Sequence, residues 1–176
     1  MTLKNNFQEL ETHRLLLRGL EETDWEMIRY LRSDKEVNKF VKRQPAETKE
    51  KALAFIAKTT TGISSGLLYQ WCITIKNSPV MIGNICLWNL SEDRKTAEMG
   101  YDLSPAYQGR GIMDEAVKAV LHFGFNQLEL ELVEAFTSKQ NESSKKLLLR
   151  NQFVWNASRK DPENDDNIIY VLHKSN

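Results

Sequence analysis

Residues 104–115, Ser-Pro-Ala-Tyr-Gln-Gly-Arg-Gly-Ile-Met-Asp-Glu, carry the clearest chemical signal in the chain. They join a strand-like run, Thr96–Leu103, to an amphipathic stretch over 112–127 through a turn holding Gly109 and Gly111. A glycine-rich turn that opens a helix leaves several N–H groups unpaired and converging, and the helix dipole adds positive potential there. Such a place favours an anion, most naturally a phosphate or diphosphate. Glycine lets the backbone come close and take positive φ where required. The bland alternative is that the glycines merely turn the chain. No G-x-x-x-x-G-K-[ST] is present, so nothing holds a triphosphate and its magnesium in that manner. The dinucleotide fingerprint is incomplete, because Asp114 occupies its third glycine position.

The elements that must position this turn can be read from pattern. A strand is expected at 13–18. A helix over 25–32 follows, N-capped by Thr23 with Glu26 completing a capping box. Residues 38–46 are irregular. Thr48 caps a second helix whose buried side is Leu53, Phe55, Ile56 and Ala57, and 59–66 reads as a loop. Strands follow at 69–75, 81–89 and 96–103, separated by polar turns. After the 112–127 helix come a strand at 132–137, a short helix at 143–150, and a closing hairpin from 153–158 and 168–172. Composition and pattern license a mixed α/β chain in a single domain, 1–176.

Twenty-four basic residues balance twenty-four acidic ones, so no global field draws in nucleic acid or an anionic membrane. Neither is expected as a partner. Cys72 and Cys86 sit in apolar strand-like runs and read as free, buried thiols; the alternative of a catalytic cysteine has no supporting pattern. The N-terminus has no apolar signal region and no run reaches eighteen apolar residues, which places the expected protein in the cytoplasm.

Gln108-Gly109-Arg110-Gly111-Ile112-Met113 resembles the Gln/Arg-x-x-Gly-x-Gly/Ala loop of the GNAT acetyltransferases, which binds the pyrophosphate of acetyl-coenzyme A. The longer stretch through Ala97-Glu98-Met99-Gly100-Tyr101 and Tyr107 is similar to the RimJ/RimL-type branch of ribosomal-protein N-terminal acetyltransferases. A second segment, Asn141 to Phe153, begins 33 residues after Gln108 and resembles the family's Asn-x-x-Ser/Ala-x-x-Leu … Gly-Phe helix. Two motifs in the right order and spacing reinforce each other. Four positions depart from the pattern. Met113 replaces Gly or Ala, and Asp114 replaces Thr or Ser and would repel a phosphate. Leu148 stands where many members have a tyrosine, and Gln152 replaces the glycine before Phe153.

The resemblance implies a GNAT fold, a mostly antiparallel twisted sheet flanked by helices, with acetyl-CoA as cosubstrate and no metal. It implies that Gln108, Gly109, Arg110, Gly111, Ile112 and Met113 hold the diphosphate, with Arg110, Lys145 and Lys146 near phosphate or else simply solvated. Backbone groups of Leu103 and Ser104 would pair with pantetheine and steady the thioester oxygen. Asn141 would bond the pantetheine or pyrophosphate arm, cap its helix, or do both. Either Ser144 or water would protonate the departing thiolate; the bland alternative for Ser144 is a surface helix serine with no task.

Amine acetylation also needs a proton acceptor. Strand alternation puts Glu98, Gly100 and Asp102 on the face opposite Ala97, Met99, Tyr101 and Leu103. Glu98 is therefore the expected general base, with Gly100 leaving room for substrate; the alternative is a salt-bridge partner on the sheet. The acceptor groove would lie between 38–46 and the acidic turn 161–166, which is either a solvated turn or a lure for a cationic acceptor. Acceptors in view are a protein N-terminal α-amine or a small-molecule amine; a coenzyme-binding module without catalysis is the third reading. A monomer or homodimer is expected.

Overall fold

The computed structural model describes residues 7–175, so residues 1–6 and 176 of the expected domain lie outside the described residues. The elements are β1 (Leu10–Glu11), β2 (Leu15–Arg18), α1 (Trp25–Ser33), α2 (Lys49–Ser64), β3 (Tyr69–Ile75), β4 (Met81–Trp88), β5 (Thr96–Leu103), α3 (Ile112–Asn126), β6 (Leu132–Ser138), α4 (Glu142–Arg150), β7 (Val154–Trp155) and β8 (Asn167–His173). They form one eight-stranded sheet in the order β1-β2-β3-β4-β5-β6-β8-β7. Every neighbouring pair is antiparallel except β5 and β6, which are joined by the α3 crossover.

Alternation along the strands builds two cores. Leu15, Leu17, Trp71, Ile73, Ile85, Leu87, Ala97 and Met99 face α3, whose Ile112, Met113, Ala116, Val117 and Val120 close that layer. Cys72 and Met81 face the other way, against Ile28 and Leu31 of α1 and Ala52 and Ile56 of α2. Each fully buried Leu or Ile contributes about 1.5–3 kcal/mol of transfer free energy. The helical layers therefore fix which side of β5 is core and which is left for chemistry.

The parallel pairing of β5 with β6 is short. It comprises Thr96–Leu132, Ala97–Val133 and Glu98–Glu134, although β5 continues to Leu103 and β6 to Ser138. Beyond Glu98 the two strands part and leave a gap in the middle of the sheet.

Three expectations change, and one short strand was not foreseen. Thr23 lies inside a 3-10 turn, Glu22–Asp24; the capping box there is formed by Glu21 and Asp24, with Asp24 held by Arg18. The second helix runs on through 59–64, because Thr59 and Gly62 lie on its buried side and the hydroxyls of Thr60, Thr61 and Ser64 bond back to carbonyls one turn earlier. Ala57 is exposed and Ala52 takes its place in the core. β1, only two residues long, has no pattern long enough to read.

Gln152 settles the departure noted before Phe153. The amide of Phe153 donates to Leu148 O at 3.0 Å and that of Gln152 to Leu149 O at 3.0 Å, which is a Schellman close to α4. Gln152 takes the left-handed φ of 66° that glycine normally supplies there. Gln152→Gly should therefore raise stability by about 1 kcal/mol, read as a higher urea midpoint at unchanged m-value. A lower midpoint would show that the Gln152 side chain stabilises the turn by more than its backbone costs.

Candidate active site

The turn after β5 begins with Ser104, whose buried N–H goes to Ile82 O at 2.9 Å. Pro105–Tyr107 form a single 3-10 turn. Gln108 then folds its side-chain amide back to Leu103 O at 3.0 Å, fastening the turn to the end of the strand. Gly109 and Gly111 both adopt left-handed φ, 73° and 70°. A side chain at Gly109 would meet nothing within 4 Å, so no part of the described chain obstructs a ligand approaching there. Among the described residues, no acceptor takes the N–H groups of Gly109, Gly111, Ile112 or Met113. These donors open α3, at its positive end.

Ile112 and Met113 turn their side chains into the core, 4% and 8% exposed, and leave only their amides facing outward. This explains why a bulky Met113 is tolerated where small residues are usual. Asp114 is turned aside as well. Its carboxylate accepts from Lys118 Nζ at 2.7 Å and Asn151 Nδ2 at 2.9 Å, tying α3 to the end of α4. Burial opposes its ionisation, but these bonds outweigh burial and lower its pKa. The expected repulsion of a phosphate is thereby blunted, because the charge is spent on Lys118.

On the α4 side, Asn141 Oδ1 caps the helix through Ser144 N at 3.1 Å, and its Nδ2 has no acceptor among the described residues. Ser144 is buried, and its Oγ lies 2.7 Å from the Tyr101 hydroxyl. Tyr101 belongs to the part of β5 that has left β6, so this bond reaches across the gap between the strands. Burial pushes the phenol up to about 12, the Ser144 bond opposing, so Tyr101 stays protonated at neutral pH. Tyr101 was not singled out from sequence, although alternation had placed it on the face away from Glu98. Leu148 is fully buried in the core, Lys145 is held by Lys139 O and Glu142, and Lys146 is exposed.

Glu98 lies on the opposite face of β5, in register with Trp88 on β4 and Glu134 on β6. Burial, opposed by a hydrogen bond from Asn89 and aided by the charges of Asp161 and Glu163, raises its pKa to about 7. Glu134 is neutralised by Arg159, so among the described residues Glu98 is the carboxylate of that pair without a cationic partner. A Cβ at Gly100 would lie 3.2 Å from Cys86 Sγ and 3.8 Å from Trp88 Nε1, so these two side chains already narrow the room expected beside Glu98. Asp102 is bound by Arg43 at 2.6 Å, and Arg43 also donates to Leu31 O and Asn38 Oδ1, both at 2.7 Å. That fork, unforeseen because Arg43 sits in an irregular segment, pins 38–46 over the Glu98 face. Lys42 reaches Asn164 Oδ1 at 3.2 Å and Asp166 at 3.7 Å, so the two loops meet. Lys139 Nζ binds Asp165 O, so the acidic turn is partly held by its own lysines. Burial pushes the Cys86 thiol up to about 12 and raises the Cys72 thiol too, which leaves neither nucleophilic at neutral pH. No helix among the described residues is long and apolar enough to cross a membrane.

An open sheet split beside a phosphate-ready helix start, with a titratable carboxylate behind the split, is an acyltransferase architecture, and residues 14–154 match the family model described as the acetyltransferase (GNAT) domain. The chain belongs to the GNAT family and is an N-acetyltransferase. It is 30% identical to YoaA, an uncharacterized N-acetyltransferase of Bacillus subtilis, over 84% of this chain and 83% of that protein. It is 32% identical to the ribosomal-protein-serine acetyltransferase of Escherichia coli over 47% of this chain and 46% of that one. Among solved structures, the ribosomal L7/L12 α-N-protein acetyltransferase RimL in complex with coenzyme A superposes with a TM-score of 0.82 at 19% identity, covering 94% of this chain and 98% of that one. GNAT acetyltransferases use acetyl-CoA.

The raised pKa of Glu98 has a consequence for stability. A carboxyl group whose folded pKa lies above its ordinary value of 4.5 favours the folded state when protonated, and that contribution is lost as pH rises through about 7. Glu98→Gln keeps the neutral form at every pH. Its urea midpoint relative to wild type should rise between about pH 5 and pH 8; a difference independent of pH would contradict the raised pKa.

Proposed function

We propose that the chain transfers an acetyl group from acetyl-CoA to a primary amine, most naturally a protein N-terminal α-amine of the ribosomal-protein type. The observation that carries the coenzyme assignment is the set of unpaired amides at Gly109, Gly111, Ile112 and Met113, with open space beside Gly109. These residues fit a diphosphate: the donors are fixed, the glycines keep side chains out of the way, and no carboxylate points in. Gln108 holds the loop to Leu103, Arg110 supplies a nearby positive charge, and the free Nδ2 of Asn141 is a donor for the pantetheine arm. Ser104 gives its N–H to Ile82 O and its carbonyl accepts from Tyr107, so of the Leu103–Ser104 pair it is the Leu103 N–H, on the side of β5 away from β4, that is open to the coenzyme.

When bound, acetyl-CoA supplies an already activated acyl carbon, so the chain need provide no covalent nucleophile. Positioning is the main contribution. The part of the sheet left unpaired past Glu98 is the passage through which the amine face and the coenzyme face communicate. Glu98, with a pKa near 7, takes the proton that the amine gives up. Ser144 stands at the other side of the passage and donates toward the leaving sulfur, with the Tyr101 hydroxyl beside it as the next proton source.

The ribosomal-protein reading of the acceptor draws on the ribosomal-protein-serine acetyltransferase and RimL likenesses. The acidic turn beside Glu98 adds that a cationic acceptor would be drawn in by charge, less strongly than four bare carboxylates would manage, because Lys42 and Lys139 hold part of the turn.

The test is mass spectrometry of ribosomal proteins and a library of small amines incubated with the protein and acetyl-CoA. An N-terminal α-acetyl mark is expected; acetylation of the small amines alone would replace the acceptor assignment. With the acceptor found, kcat/KM should rise with pH through the Glu98 carboxyl near 7 and through the acceptor amine's own deprotonation, and Glu98→Gln should lower it about 10²–10⁴-fold and remove the Glu98 limb alone. Tyr101→Phe should lower kcat while leaving the dissociation constant of coenzyme A unchanged. Equal loss in both would assign the Tyr101–Ser144 bond to the coenzyme site's structure alone.

A further inference from the structure

The phosphate-binding reading leaves a problem that glycine creates. Gly111 has no Cβ to resist rotation, so the peptide between Arg110 and Gly111 can turn over at little steric cost. In a trans peptide the C=O and N–H point in opposite directions, and no cis bond is present among the described residues. One orientation therefore offers an anion the Gly111 N–H, and the other offers it the Arg110 carbonyl oxygen, which repels it.

A latch on that peptide is built from a different element. Arg14, just before β2, donates from Nη1 to Arg110 O at 2.8 Å. Its Nη2 lies beside Gly111, 3.4 Å from where a Cβ there would sit. Its Nε reaches Glu115 Oε2 at 2.7 Å, and its own backbone N–H reaches Glu115 Oε1 at 2.8 Å. Thr12 Oγ1 also bonds Glu115. Glu115 sits in the first turn of α3 and so ties the guanidinium to the same helix that opens with Gly111. Burial would raise the Glu115 pKa, but the bonds from Thr12 and Arg14 outweigh it and lower it to about 2. The carboxylate thus remains charged throughout the neutral range.

We propose that Arg14 is a positioning residue for coenzyme binding: by holding the Arg110 carbonyl on the outer side of the turn, it presents the Gly111 N–H to the diphosphate. Glu115 and Thr12 set the guanidinium in place. The inference rests on the assignment of 108–113 to the diphosphate and adds what keeps that loop in its binding form. Arg14 acts through geometry and not through its net charge, since its fork is committed to Arg110 and Glu115.

The distinction between fork and charge gives the test. Coenzyme A binding is measured by calorimetry for wild type, Arg14→Lys, Arg14→Met, Glu115→Gln and the Arg14→Met/Glu115→Gln double variant, at low and high salt, beside thermal melts. Loss of one charge-assisted donor network predicts about a tenfold higher Kd for both Arg14 variants at either salt. It also predicts kcat at saturating coenzyme within about twofold of wild type, and a double variant no worse than Arg14→Met. The Gly111 amide resonance should broaden or shift in uncomplexed Arg14→Lys, which retains charge and is the milder change to the fold. Wild-type affinity in both Arg14 variants would overturn the proposal, as would recovery of affinity by lysine at low salt only, which would make Arg14 a charge that attracts phosphate. Failure of the wild type itself to bind coenzyme A would instead remove the diphosphate assignment beneath it.

Discussion

Three residue pairs join β5 to β6, and the shortness of that parallel contact governs the rest of the molecule. A sheet broken in its interior leaves backbone groups and side chains exposed to whatever enters the gap, and such groups are costly unless something pairs with them. The chain meets part of that cost itself. Gln108 takes Leu103 O, and Tyr101 meets Ser144 across the opening. At the first turn of α3 the amides of Gly109, Gly111, Ile112 and Met113 stay unpaired among the described residues, where they suit an anion.

The two faces of β5 carry different chemistry because the two helical layers differ. The α3 side is a dense apolar layer that pins Ile112 and Met113 and so aims their amides outward. The α1–α2 side is a smaller core, and over β5 it gives way to Glu98, Gly100 and Asp102 under a loop held by Arg43. Burial on that side raises the Glu98 pKa, while Arg159 quenches the neighbouring Glu134. One carboxylate is thereby left titratable near neutrality. Strained or perturbed groups of this kind cluster where a protein does chemistry.

Much of this was legible in order and alternation. The strands Tyr69–Ile75 and Thr96–Leu103 have the boundaries expected of them, and Glu98 and Tyr101 lie on the faces that period-two alternation assigns. The N-cap at Thr48 and the cap at Asn141 are likewise local, and each is set by a side chain and an amide three residues on. The features missed are those that depend on distant partners. The C-terminal part of α2 carries Thr59, Thr60 and Thr61, of low helix propensity, and it is helical where Thr59 and Gly62 are buried by tertiary packing. The Arg14–Glu115 and Arg43–Asp102 pairs join residues 101 and 59 positions apart, respectively, and no local pattern marks either. Asp114 appeared as a charge beside the anion site, but its bond to Asn151 across α4 can be seen only once the helices are packed.

The central claim is that free amides at the start of α3 grip the coenzyme's diphosphate while the gap beyond Glu98 receives its pantetheine arm. An amide-resolved NMR titration of the wild-type protein with coenzyme A tests it most directly. The account predicts the largest shifts at Gly109, Gly111, Ile112 and Met113, with a second group at Tyr101, Asn141 and Ser144. Shifts confined to other parts of the chain, or none at saturating coenzyme, would contradict it.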